Sequence, residues 1–388
     1  MQVLAGLGAN KLLEDFPLID NRNEDWKYID YPQDLNDFET SVGEIHEPSL
    51  RAHIVINDHE YKVLKEHTDF EIFDVETFPS ATIGNYSNRP IDRFVFQQKE
   101  KITSGVIIKT VSSTKEPLVI EIQSSGTNVP YIGVIAEDNI TSSIEFIHTE
   151  SSKGTSYPMI DYKISNNSQI DTYIIYNTPK SSKSITSFYA QIEKDSSLNV
   201  YCARFSSNFT RIRFDIDLDG SGSNFNIEAV YFGDKNGLVD YRIFVNHNTK
   251  NTASNMLLKG ALVDESNSVF TGTIHIAEGA EKTVSHQINR NLILDKKAKA
   301  HSVPNLEILC DDVICGHGSS VGPIDEHLFH YVMSRGISRL DAENLLISGF
   351  FNEVLNKDKW KLQRAELLDT IQTKYESSIG AIKSCIKQ

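Results

Sequence analysis

The chain has 388 residues, of which 39% are hydrophobic, and its 38 basic and 53 acidic residues give a formal net charge of −15. This composition indicates a folded globular protein, and the negative charge disfavours nucleic acid and anionic membranes as partners because both would repel the surface. The cysteines form no CxxC pair, no apolar stretch approaches the roughly 18 residues of a membrane span, and no basic segment opens the chain, so we expect a cytoplasmic protein without disulfides or a secretory signal.

The first zone, residues 1–90, shows no long repeat. Its short helical patterns are interrupted by prolines at positions 17, 32, 48 and 79. We therefore expect a mixed, partly helical N-terminal region ahead of the main fold.

The second zone, residues 91–322, has the alternation typical of β-strands throughout. Its clearest strand covers residues 210–219, where apolar residues alternate with arginine and aspartate. This period of two predicts one buried face and one solvent-exposed face. Further strands are predicted near residues 106–108, 118–122, 132–135, 144–147, 170–176, 198–202, 225–231 and 241–245.

The predicted strands are short and evenly spaced, with Ser, Asn, Gly and Asp at the breaks. Such a pattern is typical of a sandwich, a barrel or a β-solenoid. Two-residue Asn-Gly hairpin turns are nearly missing, which favours a solenoid over a meander of hairpins. The periodicity by itself leaves all three architectures open.

The third zone, residues 323–388, is predicted to be helical and carries nine acidic and nine basic residues. Asp325 starts a helix that Gly336 ends, Ser338 starts a second helix, and a third follows around residues 360–375. The predicted apolar face of the second helix consists of Ala342, Leu345, Leu346, Gly349 and Phe350. Because a stacked sheet needs covered ends, we expect the terminal helical regions to cap it.

The densest group of reactive side chains surrounds Cys315 and His317. Residues two apart on a strand share a face, so the thiol and the imidazole are predicted to point the same way, roughly 7 Å apart at Cα. This pair suits iron or zinc, but it fills only half of a tetrahedral site. A metal here would need further ligands from elsewhere in the fold, from sulfide or from a second chain. The alternative is that both side chains simply fill a turn.

Other polar residues nearby are weaker candidates. Adjacent Asp311 and Asp312 face opposite sides of a strand, which argues against the paired acids of a polysaccharide-cleaving β-helix. His327 and His330 share a helix face without a carboxylate or thiol in the motif, so packing is favoured. The sequence contains no motif of a phosphate-binding loop, a zinc protease or a serine hydrolase.

A set of motifs is dense over residues 240–355 and reappears near the N-terminus. They include Asn23-Glu-Asp-Trp-Lys-Tyr28, Gly260-Ala-Leu-Val-Asp264, Phe270-Thr-Gly272, Gln287-Ile-Asn289, Pro304-Asn-Leu-Glu-Ile308, Cys315-Gly-His-Gly318 and Ser334-Arg-Gly-Ile337. Together they resemble the SufB/SufD family of iron–sulfur cluster assembly proteins, and the SufD branch most. The SufB branch has a His-Glu pair in place of Cys-x-His-Gly and a cysteine near the position of Val269, and this chain has neither.

The resemblance implies a mainly β protein with a right-handed parallel β-helix, residues 91–322, between helical regions at residues 1–90 and 323–388. It also implies a complex with the SufB paralogue and the ABC-type ATPase SufC. In that family the last β-helix strands pair with SufB, a nascent cluster forms at this interface, and the C-terminal helices dock SufC.

Residue roles follow from the same resemblance. His317 and Cys315 match the SufD motif and are the expected ligands of iron or a nascent cluster, shared with the partner chain. The candidate partner-binding residues of the helical region, expected either to dock SufC or to pack within the chain, are Phe329, Arg335, Leu345, Leu346 and Phe350. No role follows for Cys310, His327 or His330, at which the chain departs from the family.

The sequence therefore predicts a scaffold subunit of the SUF system rather than an enzyme. It would hold no permanent cofactor, only transient iron or an iron–sulfur cluster at the partner interface, and the isolated chain could form a homodimer. Two alternatives are a purely structural partner subunit that binds no metal and a β-helical polysaccharide-cleaving enzyme.

Overall fold

The computed structural model describes residue 16 and residues 26–29, 37–43, 47–78, 92–150, 154–177, 182–205 and 208–385. In chain order the strands are β1 (Ile54–Ile56), β2 (Tyr61–Val63), β3 (Phe70–Asp74), β4 (Ser104–Thr110), β5 (Leu118–Ser124), β6 (Thr127–Asn128), β7 (Pro130–Ala136), β8 (Thr141–Glu150), β9 (Thr155–Ser156), β10 (Met159–Ile164), β11 (Gln169–Asn177), β12 (Lys183–Ile192), β13 (Ser197–Phe205), β14 (Phe209–Leu218), β15 (Asn224–Gly233), β16 (Leu238–His247), β17 (Ala253–Leu262), β18 (Asn267–Ile276), β19 (Thr283–Ile293), β20 (Lys299–Ile308) and β21 (Val313–Gly322). The helices are α1 (Arg93–Glu100), α2 (Glu326–Met333), α3 (Arg339–Leu355) and α4 (Arg364–Cys385), and a 3-10 turn spans Asp358–Trp360.

The strands stack as a parallel β-solenoid of about seven turns. Apart from the short β6 and β9, strands from β4 onward alternate between two sheets, so each turn adds one strand to each sheet. Gln169 of β11, for example, pairs in parallel with Thr141 of β8 on one side and with Ser197 of β13 on the other. The predicted β-helix is confirmed, and the sandwich and barrel alternatives are excluded.

One corner of successive turns is formed by residues in the left-handed conformation. Asn139, Asn167, Asp195 and Asn251 have φ values of 63°, 56°, 54° and 58°. Asn and Asp tolerate positive φ because their short side chains hydrogen-bond locally. A hydroxyl then fills the corner: Ser168 Oγ accepts a hydrogen bond from the backbone N–H of Ile140 at 3.0 Å. These corners repeat the turn at a nearly constant chain interval.

The space between the two sheets, here called the lumen, is apolar over most of its length and polar near its end. Ile, Val, Leu and Phe side chains from both sheets fill it. The inward residues of β19 are instead Ser285, Gln287, Asn289 and Asn291, all at most 3% exposed. They bond to one another and to neighbours, as where Asn291 Nδ2 donates to Asn289 Oδ1 at 2.8 Å. The lumen therefore becomes polar directly beneath the last turn, which β20 and β21 form.

The outer face of β14 is buried, so the prediction of a solvent-exposed face there is wrong. Arg211, Arg213 and Asp215 are 2%, 7% and 5% exposed. Asp92, the N-cap of α1, accepts hydrogen bonds from Arg211 at 2.6 Å and Arg213 at 3.0 Å. The Trp26 ring lies 4.1 Å from the Arg211 guanidinium. The alternation is right, but α1 and the N-terminal segment cover this face.

The starts of the first two C-terminal helices are confirmed. Asp325 accepts from the backbone N–H of Leu328 at 3.1 Å at the start of α2. Ser338 accepts from the backbone N–H of Asp341 at 3.2 Å at the start of α3. Short polar side chains at these positions satisfy amides that the first helical turn leaves unpaired.

Two expectations about the C-terminal helices are wrong. The helices α3 and α4 do not cap the solenoid end but lie along its side, over the outer face of β13, β15 and β17. Outward residues of these strands, such as Tyr201 and Phe232, are apolar and require this cover. The buried residues of α3 are Ala342, Ile347, Phe351, Val354 and Leu355. The predicted apolar face is therefore offset, and its Leu345 is 53% exposed.

The described part of residues 1–90 contains three short strands, and the first α-helix among the described residues begins at Arg93. Strand β2 pairs antiparallel with β1, and β3 pairs antiparallel with β4. The rest of the predicted helical N-terminal region lies outside the described residues. In the described residues no helix is long and apolar enough to cross a membrane.

Candidate functional site

The last turn of the solenoid is open at its outer edge. Among the described residues, β20 and β21 each pair with a strand on one side only. Apolar residues exposed on and next to these two strands are Ile308 (41%), Leu309 (63%), Ile314 (64%) and Val321 (46%). An edge strand with unpaired backbone groups and exposed apolar side chains is a ready site for another chain.

Cys315 and His317 lie on β21, at this open edge. Cys315 is half-buried and packs against the apolar interior, in register with Ser285 of β19. Burial raises the pKa of the Cys315 thiol, and a hydrogen bond from the Ser285 backbone opposes this only in part. His317 is exposed and in register with Gln287. The two candidate ligands thus face the open end of the lumen.

The donor chemistry of this pair fits iron as a bound substrate, because a thiolate and an imidazole are both iron ligands. Within the described part of the chain, no three His, Cys, Asp or Glu side chains come together in an arrangement that could hold a metal ion. The pair therefore supplies two donors, and the remaining ones would have to come from outside this set of residues.

The neighbouring polar residues do not join the pair. Cys310 is half-buried in the turn after β20 and touches the apolar interior. Asp311 and Asp312 are both exposed in that turn. His327 and His330 are exposed on α2.

The five predicted partner-binding residues differ in accessibility. In α2 and the turn after it, Phe329 is half-buried beneath the Arg339 guanidinium, 5.2 Å from its ring, and exposed Arg335 donates to Tyr331 Oη at 3.0 Å. In α3, Leu345 is exposed and Leu346 half-buried. Phe350 packs against the solenoid, with Lys259 Nζ 4.3 Å from its ring. Phe350 therefore has a packing role within the chain.

Sequence reasoning missed the polar side chains beneath the candidate ligands. Ser285, Gln287 and Asn289 lie one strand below Cys315, His317 and Ser319, respectively. A signal in the sequence could have revealed them. Every second residue of this strand is polar, whereas the corresponding positions in strands of earlier turns are mostly apolar.

The amino-acid sequence of the chain is similar to that of a known protein family. A family model described as "SUF system FeS cluster assembly, SufBD core domain" matches residues 120–350. The chain belongs to this family.

Relatives of this SufBD protein agree with that assignment. It is 25% identical over 313 residues to an iron–sulfur cluster assembly SufBD family protein of Mycobacterium tuberculosis, covering 76% of this chain and 78% of the relative. It is 37% identical over 137 residues to SufD of Escherichia coli, covering 35% and 32%, and 28% identical over 250 residues to SufD of Bacillus subtilis, covering 63% and 57%. The predicted family and its likeness to SufD are confirmed.

Proposed function

We propose that this SufBD protein is the SufD-type scaffold subunit of a cytoplasmic iron–sulfur cluster assembly complex and has no catalytic activity of its own. It pairs with a SufB-type paralogue through the last solenoid turn and docks a SufC-type ATPase through its C-terminal helices. The observation that carries the proposal is the open edge at β20 and β21, which presents a thiol and an imidazole beside exposed apolar residues.

In this proposal His317 is a ligand of iron or of the nascent cluster, and Cys315 is a supporting ligand. The half-buried Cys315 thiol, with its raised pKa, is mostly protonated near neutral pH until a metal or a positive partner group favours the thiolate. His317 is exposed and accessible to incoming iron. The missing donors come from the partner chain or from sulfide.

The test is the three-subunit complex purified with His317→Ala, in which bound iron and sulfide are quantified. We expect the loss of most of the iron. The matched control is His286→Ala, because His286 is also exposed but lies on the outer face of the neighbouring strand β19. Unchanged loading in His317→Ala, compared with the control, would remove His317 from the mechanism.

A purely structural partner that binds no metal remains the second candidate, because the described residues supply only two donors. For that function, a complex in which both Cys315 and His317 are replaced by alanine would assemble and mature target proteins as well as wild type. Loss of maturation with intact assembly would exclude it.

The ATPase-docking part of the proposal is tested by point substitution. Deleting residues 338–388 would uncover the apolar outer face of β13, β15 and β17, so it would not report docking alone. We expect Leu345→Asp, which changes an exposed residue of α3, to weaken ATPase binding about tenfold or more. Leu362→Asp, at a residue 77% exposed outside the helices, should bind normally. Equal binding by both variants would shift the docking site elsewhere.

A further inference from the structure

Gln287 lies beneath the candidate ligand His317 and has an unused hydrogen-bond acceptor. Its side chain is 1% exposed and points into the lumen from β19. Its Nε2 donates to the backbone carbonyl of Asn305 on β20 at 3.2 Å. Its Oε1 is buried and has no hydrogen-bond partner among the described residues. A buried acceptor without a donor costs free energy, and most buried polar atoms in folded proteins have a hydrogen-bond partner. The unpaired Oε1 therefore indicates a donor that can approach it.

The space around Gln287 is shaped for its long side chain. A Cβ atom on Gly272, on the facing strand β18, would come within 2.0 Å of Gln287 Oε1. Only glycine at that position lets the amide extend across the lumen. The amide therefore forms a polar floor beneath the last turn.

The register of the solenoid brings this floor next to His317. Gln287 and His317 are direct partners on the adjacent parallel strands β19 and β21, which run about 4.8 Å apart. Inward side chains of such partners stand side by side.

Bonds between in-register side chains recur throughout this solenoid. Asn226 donates to its register partner Asn199 at 2.9 Å, and Asn246 donates to its partner Asp217 at 2.9 Å. In the lumen itself, the hydroxyls of Ser254 and its partner Ser285 are 2.6 Å apart. His317 occupies the register position next to Gln287, where this fold repeatedly forms a side-chain hydrogen bond. The imidazole of His317 has a ring N–H that can act as the donor.

We propose that Gln287 is a positioning residue for His317: when the exposed ring of His317 turns inward over the lumen, Gln287 Oε1 accepts a hydrogen bond from one ring N–H and leaves the other ring nitrogen, unprotonated, facing the open end. The bond fixes both the tautomer and the plane of the ring. Metal-binding histidines commonly have such a partner on the second nitrogen. The positioning of the His317 ring does not depend on the proposed function. Only the role of the free ring nitrogen as an iron ligand rests on that function.

The test measures the tautomer of His317 in the iron-free full chain. The protein is labelled with ¹⁵N-histidine, and the His317 ring signals are assigned by their loss in His317→Ala. At one fixed pH, we expect a single tautomer in wild type and in Gln287→Glu, which keeps an acceptor. We expect averaged ring-nitrogen shifts in Gln287→Met, which removes the acceptor at similar volume. Ser285→Ala, equally buried two residues away, should keep the wild-type pattern.

Two results would overturn the inference: averaged shifts already in wild type, or an unchanged single tautomer in Gln287→Met. Should Gln287→Met fail to fold, the test uses Gln287→Ser. The serine hydroxyl is too short to reach the His317 ring, the change adds no apolar side chain, and the same two outcomes apply.

A second readout separates this inference from the proposed function. In the assembled complex, Gln287→Met should weaken iron retention by roughly ten- to hundredfold, the usual effect of losing a ligand's hydrogen-bond partner. A lost tautomer preference with unchanged iron retention would support the positioning role and refute His317 as an iron ligand.

Discussion

At the scale of single residues, a buried carboxyl inside the lumen contributes to the dependence of stability on pH. Burial raises the pKa of Glu150 to about 7, and the charge of Arg204 lowers it only in part. An acid whose pKa is higher in the folded state binds its proton more tightly there. Stability from this group is therefore full below the unfolded pKa and is lost as the pH rises through about 7.

We accordingly expect Glu150→Gln to become more stable relative to wild type as the pH rises from about 5 to about 8, by up to about 3 kcal/mol. Urea unfolding at several pH values measures this difference. Glu278→Gln, in an exposed turn, should follow the wild-type slope. If the stability difference between Glu150→Gln and wild type did not change with pH, the Glu150 carboxyl would have the same pKa in the folded and unfolded states.

Glycine at one lumen position is required by close packing. A Cβ atom on Gly260 would lie 2.1 Å from Tyr231 Cε2 and 2.7 Å from Asn291 Oδ1. We expect Gly260→Ala to reduce the free energy of unfolding by about 1–3 kcal/mol, the usual cost of overpacking. The control is Gly349→Ala in α3, where nothing lies within 4 Å and the change should add up to about 1 kcal/mol. Equal stability of Gly260→Ala and wild type would contradict the packing.

The sequence predicted the Cys315 and His317 pair because two-residue spacing on a strand is a local property. It could not reveal the pairing of His317 with Gln287, which depends on a register between strands 30 residues apart in the chain. Register of this kind is set by the packed lumen and the corners and not by either strand alone.

At the scale of elements, Asp92 joins α1 to the solenoid. Its Oδ1 caps the helix by accepting from the Val95 N–H at 2.9 Å, and its Oδ2 accepts from Arg211 and Arg213. Burial by itself would raise the pKa of Asp92, but the two guanidinium charges outweigh burial and hold the pKa well below its usual range.

We expect Asp92→Asn, which keeps a capping side chain but loses the charge, to cost about 3–5 kcal/mol at neutral pH. A carboxyl with a lowered pKa stabilises the folded state at pH values above its pKa in the unfolded chain. The stability difference between Asp92→Asn and wild type should therefore become smaller as the pH falls below about 4. Asp325→Asn, at the exposed cap of α2, serves as the control and should change stability little. A gap that is constant down to acid pH would contradict the ion-pair explanation.

Element prediction succeeded where local chemistry decides and failed where tertiary contact decides. The caps at Asp325 and Ser338 are local, and both are confirmed. The buried face of α3 is not local, because apolar residues occur on more than one side of this helix. Contact with the solenoid selects Ile347 and Phe351 and leaves Leu345 exposed.

At the scale of the whole molecule, the C-terminal helices and the solenoid share a second apolar core. Trp360 is fully buried there, with its ring centroid 5.7 Å from that of Tyr201, and its Nε1 donates to Glu228 at 3.3 Å. This core holds the proposed ATPase-docking helices at a fixed place on the outer face.

We expect Trp360→Ala to weaken this attachment by about 3–5 kcal/mol. Amide hydrogen exchange should then show lost protection in α4, while β14 and β16, in the other sheet, stay protected. Leu362→Ala, two residues away but 77% exposed, should exchange like wild type. Uniform loss of protection across both sheets would mean that the helices and the solenoid unfold as one unit.

The repeat of the whole fold was harder to see in the sequence than its strands. Each turn uses a similar corner, but the left-handed residue varies among Asn, Asp, Gly and Lys, as at Asn167, Asp195, Gly222 and Lys282. The inward residues also change from apolar to polar along the lumen. The backbone conformation repeats from turn to turn, but the residue types do not. A search for repeated sequence motifs therefore misses the structural repeat.

The two ends of the solenoid are unequal, and this limits how copies can join. The first turn ends in antiparallel strands of 3 and 5 residues, β2 and β3, whereas the last ends in two parallel strands of 10 residues, β20 and β21. Fibres grow when each end of a molecule fits the opposite end of the next. Among the described strands, a last turn matches another last turn in strand length but does not match a first turn. We therefore expect two last turns to join as a closed two-fold or pseudo-two-fold pair that does not continue into a fibre.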